Sequence, residues 1–418
     1  MPGSGKTARP VGPLQLLALG VNGIVGVGIF FLPAPAAASA PGLGVVAVFA
    51  LTGLALVPAA LTFATLGKRF DEDGGPVVFA RAAFGERVSF LVGWVAYVSA
   101  LFSASAVVVG LTRAVLPASE AAGPVARAAP AVLVTLLAAV VASGLRLSAR
   151  VWTGLTALKL LPLVLLVAAF ALAWGRFPAP AAAAPDLGWL RAALTVVFAC
   201  QGFEIVPVIA GQVRASARAV PFATLGSLLV AMALYVALVL ACATTLPALA
   251  SSAAPLAEAA SVLGGTPLAR LVAAGTSVSA LGLAFGMMVT TPRYLSALAA
   301  GGREVFALDR VSASGVPTRA LAVTWAVVTV LVSLGDLGEL FALSSIAVLL
   351  QFGTSALALV VLALRRDRGL APGQAWPAVP TLAVAAVLVA AGATAREAFV
   401  AAGAVLLGVA LLRLSRPR

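Results

Sequence analysis

Apolar runs separated by short polar or Gly/Pro-rich stretches repeat along the whole chain. A run of about 20 apolar residues is long enough to cross a bilayer as a helix. Twelve such spans are predicted, near residues 13–38, 42–66, 88–112, 127–145, 150–174, 188–210, 218–246, 268–298, 318–334, 337–363, 376–394 and 396–413. Only Ala395-Arg396-Glu397 separates the last two. Between spans 2 and 3, charges and Gly74-Gly75-Pro76 mark a surface loop, within which Val78–Phe84 is long enough for a short interfacial helix. The stretch 299–317 has the same character, and Pro178–Pro185 reads as an Ala/Pro spacer.

Two spans break the pattern. Span 1 contains Gly20-Val21-Asn22-Gly23-Ile24-Val25-Gly26-Val27-Gly28-Ile29-Phe30-Phe31-Leu32-Pro33. Glycine costs about 1 kcal/mol against alanine inside a helix and permits backbone geometries that a side chain forbids. A helix broken here leaves N–H and C=O groups unpaired at membrane depth, which is tolerated only where they line a protein cavity. A ligand can satisfy them, and the resumed half-helix favours an anion at its N-terminus. The alternative is a glycine-lined helix–helix contact of the small-xxx-small kind. Span 6 contains Phe198-Ala199-Cys200-Gln201-Gly202-Phe203-Glu204-Ile205-Val206-Pro207. It sets an amide, a glycine, a carboxylate and a proline inside an apolar run. Two interrupted spans five helices apart match two five-helix repeats of opposite orientation, with the binding site near the midplane.

Composition agrees with a membrane protein. The chain is 62% hydrophobic and 10% charged, with a mean hydropathy of +1.11, against about 25% charged residues in soluble domains. The net charge of +13 does not argue for nucleic acid. With the N-terminus inside, twenty of the 27 Lys and Arg residues fall on the cytoplasmic side and six outside, with Lys159 within a span. An even number of spans then leaves both termini in the cytoplasm. Cys200 and Cys242 both lie in apolar runs, so no disulfide framework is implied. The absence of His and of paired carboxylates argues against an enzyme or a metal site, and no cofactor is expected.

Lys159, in Thr156-Ala157-Leu158-Lys159-Leu160-Leu161-Pro162, lies about 13 Å below Arg150 at 1.5 Å per residue, near the midplane of a core about 30 Å thick. It either snorkels to the cytoplasm or serves as a functional buried amine. Glu204 must face protein or water. It is the second candidate proton carrier, or else a hydrogen-bond partner that holds span 6.

Gly26-Val27-Gly28-Ile29-Phe30, Gly74-Gly75-Pro76, Phe90-Leu91-Val92-Gly93-Trp94, and Phe198 to Glu204 with Ala210-Gly211 together resemble the amino acid–polyamine–organocation superfamily of transporters, of the bacterial amino acid permease type. The resemblance covers most of the chain and is weakest after span 10. It implies a leucine-transporter-like fold, all-α, with spans 1–5 and 6–10 as inverted repeats and spans 1 and 6 broken. It implies that a substrate carboxylate meets N–H groups near Gly26, Val27 and Gly28. The substrate ammonium would meet carbonyls near Asn22, Gly23 and Ile24, and near Phe198, Ala199 and Cys200, beside Gly202. Phe198 matches an aromatic residue that covers the substrate in some members. Lys159 matches a lysine that, in some sodium-independent members, stands where relatives hold a sodium ion. Gln212 and Gln201 depart from the family pattern, replacing an often acidic and a commonly apolar residue, and leave the substrate range open.

The expected organisation is a cytoplasmic N-terminus (1–12), a first repeat (13–174), an extracytoplasmic linker (175–187), a second repeat (188–363), a cytoplasmic loop (364–375), two further spans (376–413) and a cytoplasmic C-terminus (414–418). The expected function is secondary transport of a small neutral or apolar amino acid across the cytoplasmic membrane. Its partners are the bilayer and, as coupling ions, protons, or a second amino acid in exchange. No oligomeric state follows from the sequence. The alternatives are an exporter or polyamine carrier of the same superfamily and, outside it, a receptor or channel. A polyamine would want more intramembrane carboxylates than Glu204. A channel would favour rings of like residues.

Overall fold

The computed structural model describes residues 11–116, 123–144, 149–181, 184–213, 215–300, 303–304, 308, 310–312, 314–414 and 416–417, and not the side chains of 149–157, 300, 303–304 and 416–417. Lys6, Arg9, Arg146, Arg214 and Arg418, with Gly301-Gly302 and Asp309, lie outside the described residues.

The first apolar run forms three helices, α1 (Pro13–Ile24), α2 (Gly28–Phe31) and α3 (Pro33–Ser39). Span 2 is α4 (Leu43–Gly67), the loop helix is α5 (Pro76–Phe84), and spans 3 to 5 are α6 (Glu86–Val115), α7 (Pro124–Ala142) and α8 (Ala149–Leu172). Span 6 is α9 (Leu187–Cys200) followed by a 3-10 segment, Phe203–Gln212. Spans 7 to 10 are α10 (Ser216–Thr245), α11 (Pro255–Ala300), α12 (Thr318–Leu334) and α13 (Leu337–Leu364), and the last two are α14 (Ala378–Gly392) and α15 (Ala395–Leu414). Among the described residues ten stretches are long and apolar enough to cross a bilayer, and Leu158–Leu172 of α8 and α12 are shorter apolar helices. The protein is an all-helical polytopic membrane protein. Its strands, among the described residues, are one two-residue antiparallel pairing of Arg303–Glu304 with Arg416–Pro417.

The helices pack as two related sets. When span n is exchanged with span n+5, the contact of α6 with α13 becomes that of α11 with α8. Likewise the contact of α1 with α10 becomes that of α9 with α4, while α4–α10, α6–α11 and α7–α12 map onto themselves. Five is odd, so paired spans cross in opposite directions, as in an inverted repeat. Helix α6 is buried on nearly all sides and α15 on hardly any. The spread of apolar residues over every face of α6 therefore reflects its central place, while that of α15 suits contact with lipid.

Helix α11 differs from the pattern predicted for span 8. It joins two helices across a kink: Gly265 (φ 69, ψ −168) is non-helical, so a separate helical stretch from Pro255 precedes the span that begins near residue 268. Glu258 and Gly264-Gly265-Thr266-Pro267 lower the local hydropathy and disguise the first turns as loop.

The loop before α5 is built into the fold. Gly74 (φ 129) and Gly75 (φ 50) turn the chain through conformations that side chains rarely adopt. The Gly74 N–H donates to the Val208 carbonyl at 2.8 Å. Asp73 accepts from the Gly211 N–H at 3.0 Å and from the Gln212 side chain at 3.1 Å. Gln212, where the family often has an acid, thus donates to an acid from the neighbouring loop.

Helices α14 and α15 are pinned to α9 by an ion pair with a buried carboxylate. Both terminal guanidinium nitrogens of the half-buried Arg191 meet the Glu397 carboxylate, at 2.6 and 2.7 Å, and Glu397 is 2% exposed. The same carboxylate accepts from the Thr394 N–H at 2.8 Å, and Arg191 also reaches the Gly392 carbonyl at 3.2 Å. Removing one partner strands a buried charge, which costs about 3–5 kcal/mol, whereas replacing both by apolar residues is near neutral. Arg191→Met should therefore lower the thermal stability of detergent-purified protein markedly, and Arg191→Met with Glu397→Leu should recover most of it.

Candidate functional site

Helix α1 stops at Ile24 and α2 begins at Gly28, leaving Val25-Gly26-Val27 without regular structure. A helix end leaves its last carbonyls and its first N–H groups unpaired. The Val25 N–H still reaches the Val21 carbonyl at 2.8 Å, and the Gly26 N–H turns back to Ile24 at 2.7 Å. The Lys159 ammonium donates to the carbonyls of Asn22 at 2.9 Å and Val25 at 2.6 Å. The Tyr235 hydroxyl donates to the Ile24 carbonyl at 2.8 Å. Lys159 therefore points across to the break and does not snorkel. The ammonium satisfies two of the freed carbonyls and ties α8 to the break in span 1.

The second break faces the first. Helix α9 ends at Cys200, Gln201 is extended (φ −69, ψ 156), and Gly202 sits at φ 126 before the 3-10 segment resumes. A Cβ on Gly202 would lie 2.7 Å from the Gly23 carbonyl, and one on Gly28 would lie 2.7 Å from the Ala199 Cα. Both glycines are thus required for close approach of the two backbones. Gly26 is different: a Cβ there would press on the Leu283 side chain at 3.1 Å and lie at an ordinary 3.7 Å from the Ile24 carbonyl. Glu204 lies just beyond Gly202, and its carboxylate accepts the Gly202 N–H at 2.7 Å, so it caps the broken end of its own span.

The two breaks meet where Gly202 approaches Gly23 and Ile24 and where Gly28 approaches Ala199, with Lys159 on the carbonyls of Asn22 and Val25 and Glu204 on the Gly202 N–H, while Gly26 faces Leu283 of α11 and Phe198 packs against Phe341 of α13. The carbonyls of Asn22 and Ile24, expected for a substrate ammonium, are already held by Lys159 and Tyr235. The Gly26 N–H, expected for the carboxylate, is held by Ile24. Val27 and Gly28 open α2, where first-turn N–H groups have no partner within their helix. The Asn22 side-chain oxygen is buried with no hydrogen-bond partner among the described residues.

Several neighbours were not predicted. Tyr235 of α10 was not singled out, although a tyrosine inside an apolar span needs an acceptor when buried. Phe341 of α13 stacks on Phe198 with centroids 4.5 Å apart. The Gln201 amide donates to the hydroxyls of Ser103 at 3.2 Å and Ser344 at 3.3 Å, on α6 and α13.

A family model described as amino acid permease matches residues 11–404. An uncharacterized transporter of Mycobacterium bovis is 30% identical over 407 residues, which cover 96% of this chain and 89% of the relative. The methylthioribose transporter of Bacillus subtilis is 24% identical over 382 residues, 86% of this chain and 82% of the relative. The branched-chain amino acid permease BcaP of Bacillus subtilis is 30% identical over 257 residues, 56% of this chain and 54% of the relative.

Proposed function

The chain belongs to the amino acid permease family, and from that premise we propose that it carries a small neutral amino acid across the cytoplasmic membrane by alternating access around the two breaks. Both termini face the cytoplasm, and the driving gradient is of protons or of a second amino acid, not of sodium. The N–H groups that open α2 receive the carboxylate. The ammonium meets the buried Asn22 side-chain oxygen, the Gly23 carbonyl and the carbonyls that close α9.

The observation that carries this reading is the Lys159 ammonium on the carbonyls of Asn22 and Val25. It is a fixed cation at a broken helix, in the role a bound sodium ion would otherwise fill, and it can exchange a proton as its surroundings open and close. Relatives carry names as different as methylthioribose transporter and branched-chain amino acid permease, so the substrate class rests on the site. A cationic side chain would need a carboxylate. The one at the breaks, Glu204, is occupied in capping Gly202.

A ligand that binds only the folded state stabilises it, by about 2.7 kcal/mol at a hundredfold excess over Kd. Screening amino acids against purified protein for a rise in Tm should find a small neutral one. Stabilisation by arginine or putrescine alone would refute the reading.

A further inference from the structure

Gln201 occupies the break in span 6, and its extended backbone takes its side chain off the helix surface. The amide bridges to α6 and α13. Its Nε2 lies 3.2 Å from the Ser103 hydroxyl and 3.3 Å from the Ser344 hydroxyl. The two hydroxyls are 2.6 Å apart. Ser103 and Ser344 are 3% and 0% exposed.

The hydrogen-bond inventory of this cluster closes only through one long contact. The amide spends both its donors on the two hydroxyls. Two hydroxyls bring two protons, and one of these lies between the serine oxygens. The other has only Gln201 Oε1, 3.5 Å from the Ser344 oxygen, a contact at the limit of a hydrogen bond. An amide carbonyl accepts two bonds, so Oε1 is under-used and a hydroxyl proton is poorly placed. The cluster therefore holds one weakly paired acceptor and one weakly paired donor beside the break in span 6.

Its surroundings set the size and character of what can use them. Phe198 and Phe341 lie three residues before Gln201 and Ser344 and stack on one another. Helices α9 and α13 thus face each other through an aromatic rung and, one turn on, a polar rung, with α6 closing the side. Ala199, between the two rungs, is in contact with Gly28 of α2. An apolar side chain would find the aromatic wall but would leave the amide and hydroxyls no better paired, which costs about 1–3 kcal/mol for a buried polar group.

We infer that Gln201, with Ser103 and Ser344, is the specificity-determining receptor for the substrate's side chain, and that the substrate is a small neutral amino acid whose side chain carries a hydroxyl or an amide. This narrows the transport reading above and rests on it.

The test compares near-isosteric pairs by Tm titration of the full-length purified protein: threonine against valine, serine against alanine, and asparagine against leucine. The polar member of at least one pair should bind about tenfold more tightly, the scale of one net hydrogen bond. That ratio should fall to near one in Gln201→Leu. Ser344→Ala, which removes a single hydroxyl, should reduce it even if the leucine variant folds poorly. Tighter binding of valine, alanine and leucine by the wild type would overturn the inference and leave amino acid transport standing. A polar preference unchanged in both variants would do the same, and would leave Gln201 as a pin between helices. No stabilisation by any of the six would overturn the inference, and no stabilisation by any neutral amino acid would overturn the transport reading with it.

Discussion

Lys159→Ala should insert and fold but lose nearly all transport. The variant removes an ammonium that makes two hydrogen bonds to carbonyls, at 2.9 and 2.6 Å. Hydrogen bonds to charged groups contribute about 1.5–3 kcal/mol each. Asn22 and Val25 would then carry unpaired carbonyls at membrane depth, where water cannot replace the donor. The local cost falls on the break in α1 and not on the scaffold, because the packing of α8 against α11 does not depend on the ammonium. Lys159→Met keeps the length and apolar volume of the side chain and should fail equally, which separates lost bonds from lost packing. Residual uptake by either variant should lose the pH dependence of the wild type, because the titrating amine at the break is gone. Glu204→Gln should keep that dependence, since an amide oxygen can still accept the Gly202 N–H. Uptake measured across a pH series in all three variants checks this. A wild-type pH profile in Lys159→Ala would assign proton coupling elsewhere.

The glycines of the two breaks should differ sharply in tolerance. Gly28→Ala places a Cβ 2.7 Å from the Ala199 Cα, and backbone cannot move aside as a side chain can. Gly202→Ala suffers twice, from φ 126 and from the Gly23 carbonyl at 2.7 Å. Overpacking of this kind costs about 1–3 kcal/mol, and a strained backbone conformation a similar amount. Both variants should lose transport and show a lowered Tm. Gly26→Ala presses on the Leu283 side chain at 3.1 Å and touches the Ile24 carbonyl at an ordinary 3.7 Å, so it should keep its stability within about 1 kcal/mol. Gly26 is therefore the position at which binding and packing are separable. A variant with normal stability and weakened amino acid binding would place the ligand against this turn.

Both breaks are legible in the sequence because Gly26, Gly28, Gly202, Glu204 and Pro207 are poor residues for a helix whose only task is to cross lipid. The depth of Lys159 is legible from its distance to Arg150. A tie to the broken part of span 1 or to span 8 is legible as well, but not which carbonyls it meets, since they lie 134 and 137 residues away along the chain. Tyr235 shows why polar residues inside apolar runs need a partner assigned: a buried phenol has to donate, and the nearest broken helix supplies the acceptor. Gln201 is visible in the sequence only as a departure from a family pattern. Ser103 and Ser344, 241 residues apart, look like ordinary small residues of apolar spans. Their meeting is a product of the crossing of α6 and α13. The helical stretch that opens α11 is hidden for a different reason: the non-helical Gly265 separates it from the span itself, and its own composition reads as loop.

Uptake of a stabilising amino acid into proteoliposomes tests the central claim most directly. The internal and external media would be set with sodium or choline as the only added cation, with and without an inward pH gradient or a counter-loaded amino acid. Accumulation should follow the pH gradient or the counter-substrate and should be the same in sodium and in choline. Uptake that occurs only in sodium would contradict a lysine ammonium standing in for that ion.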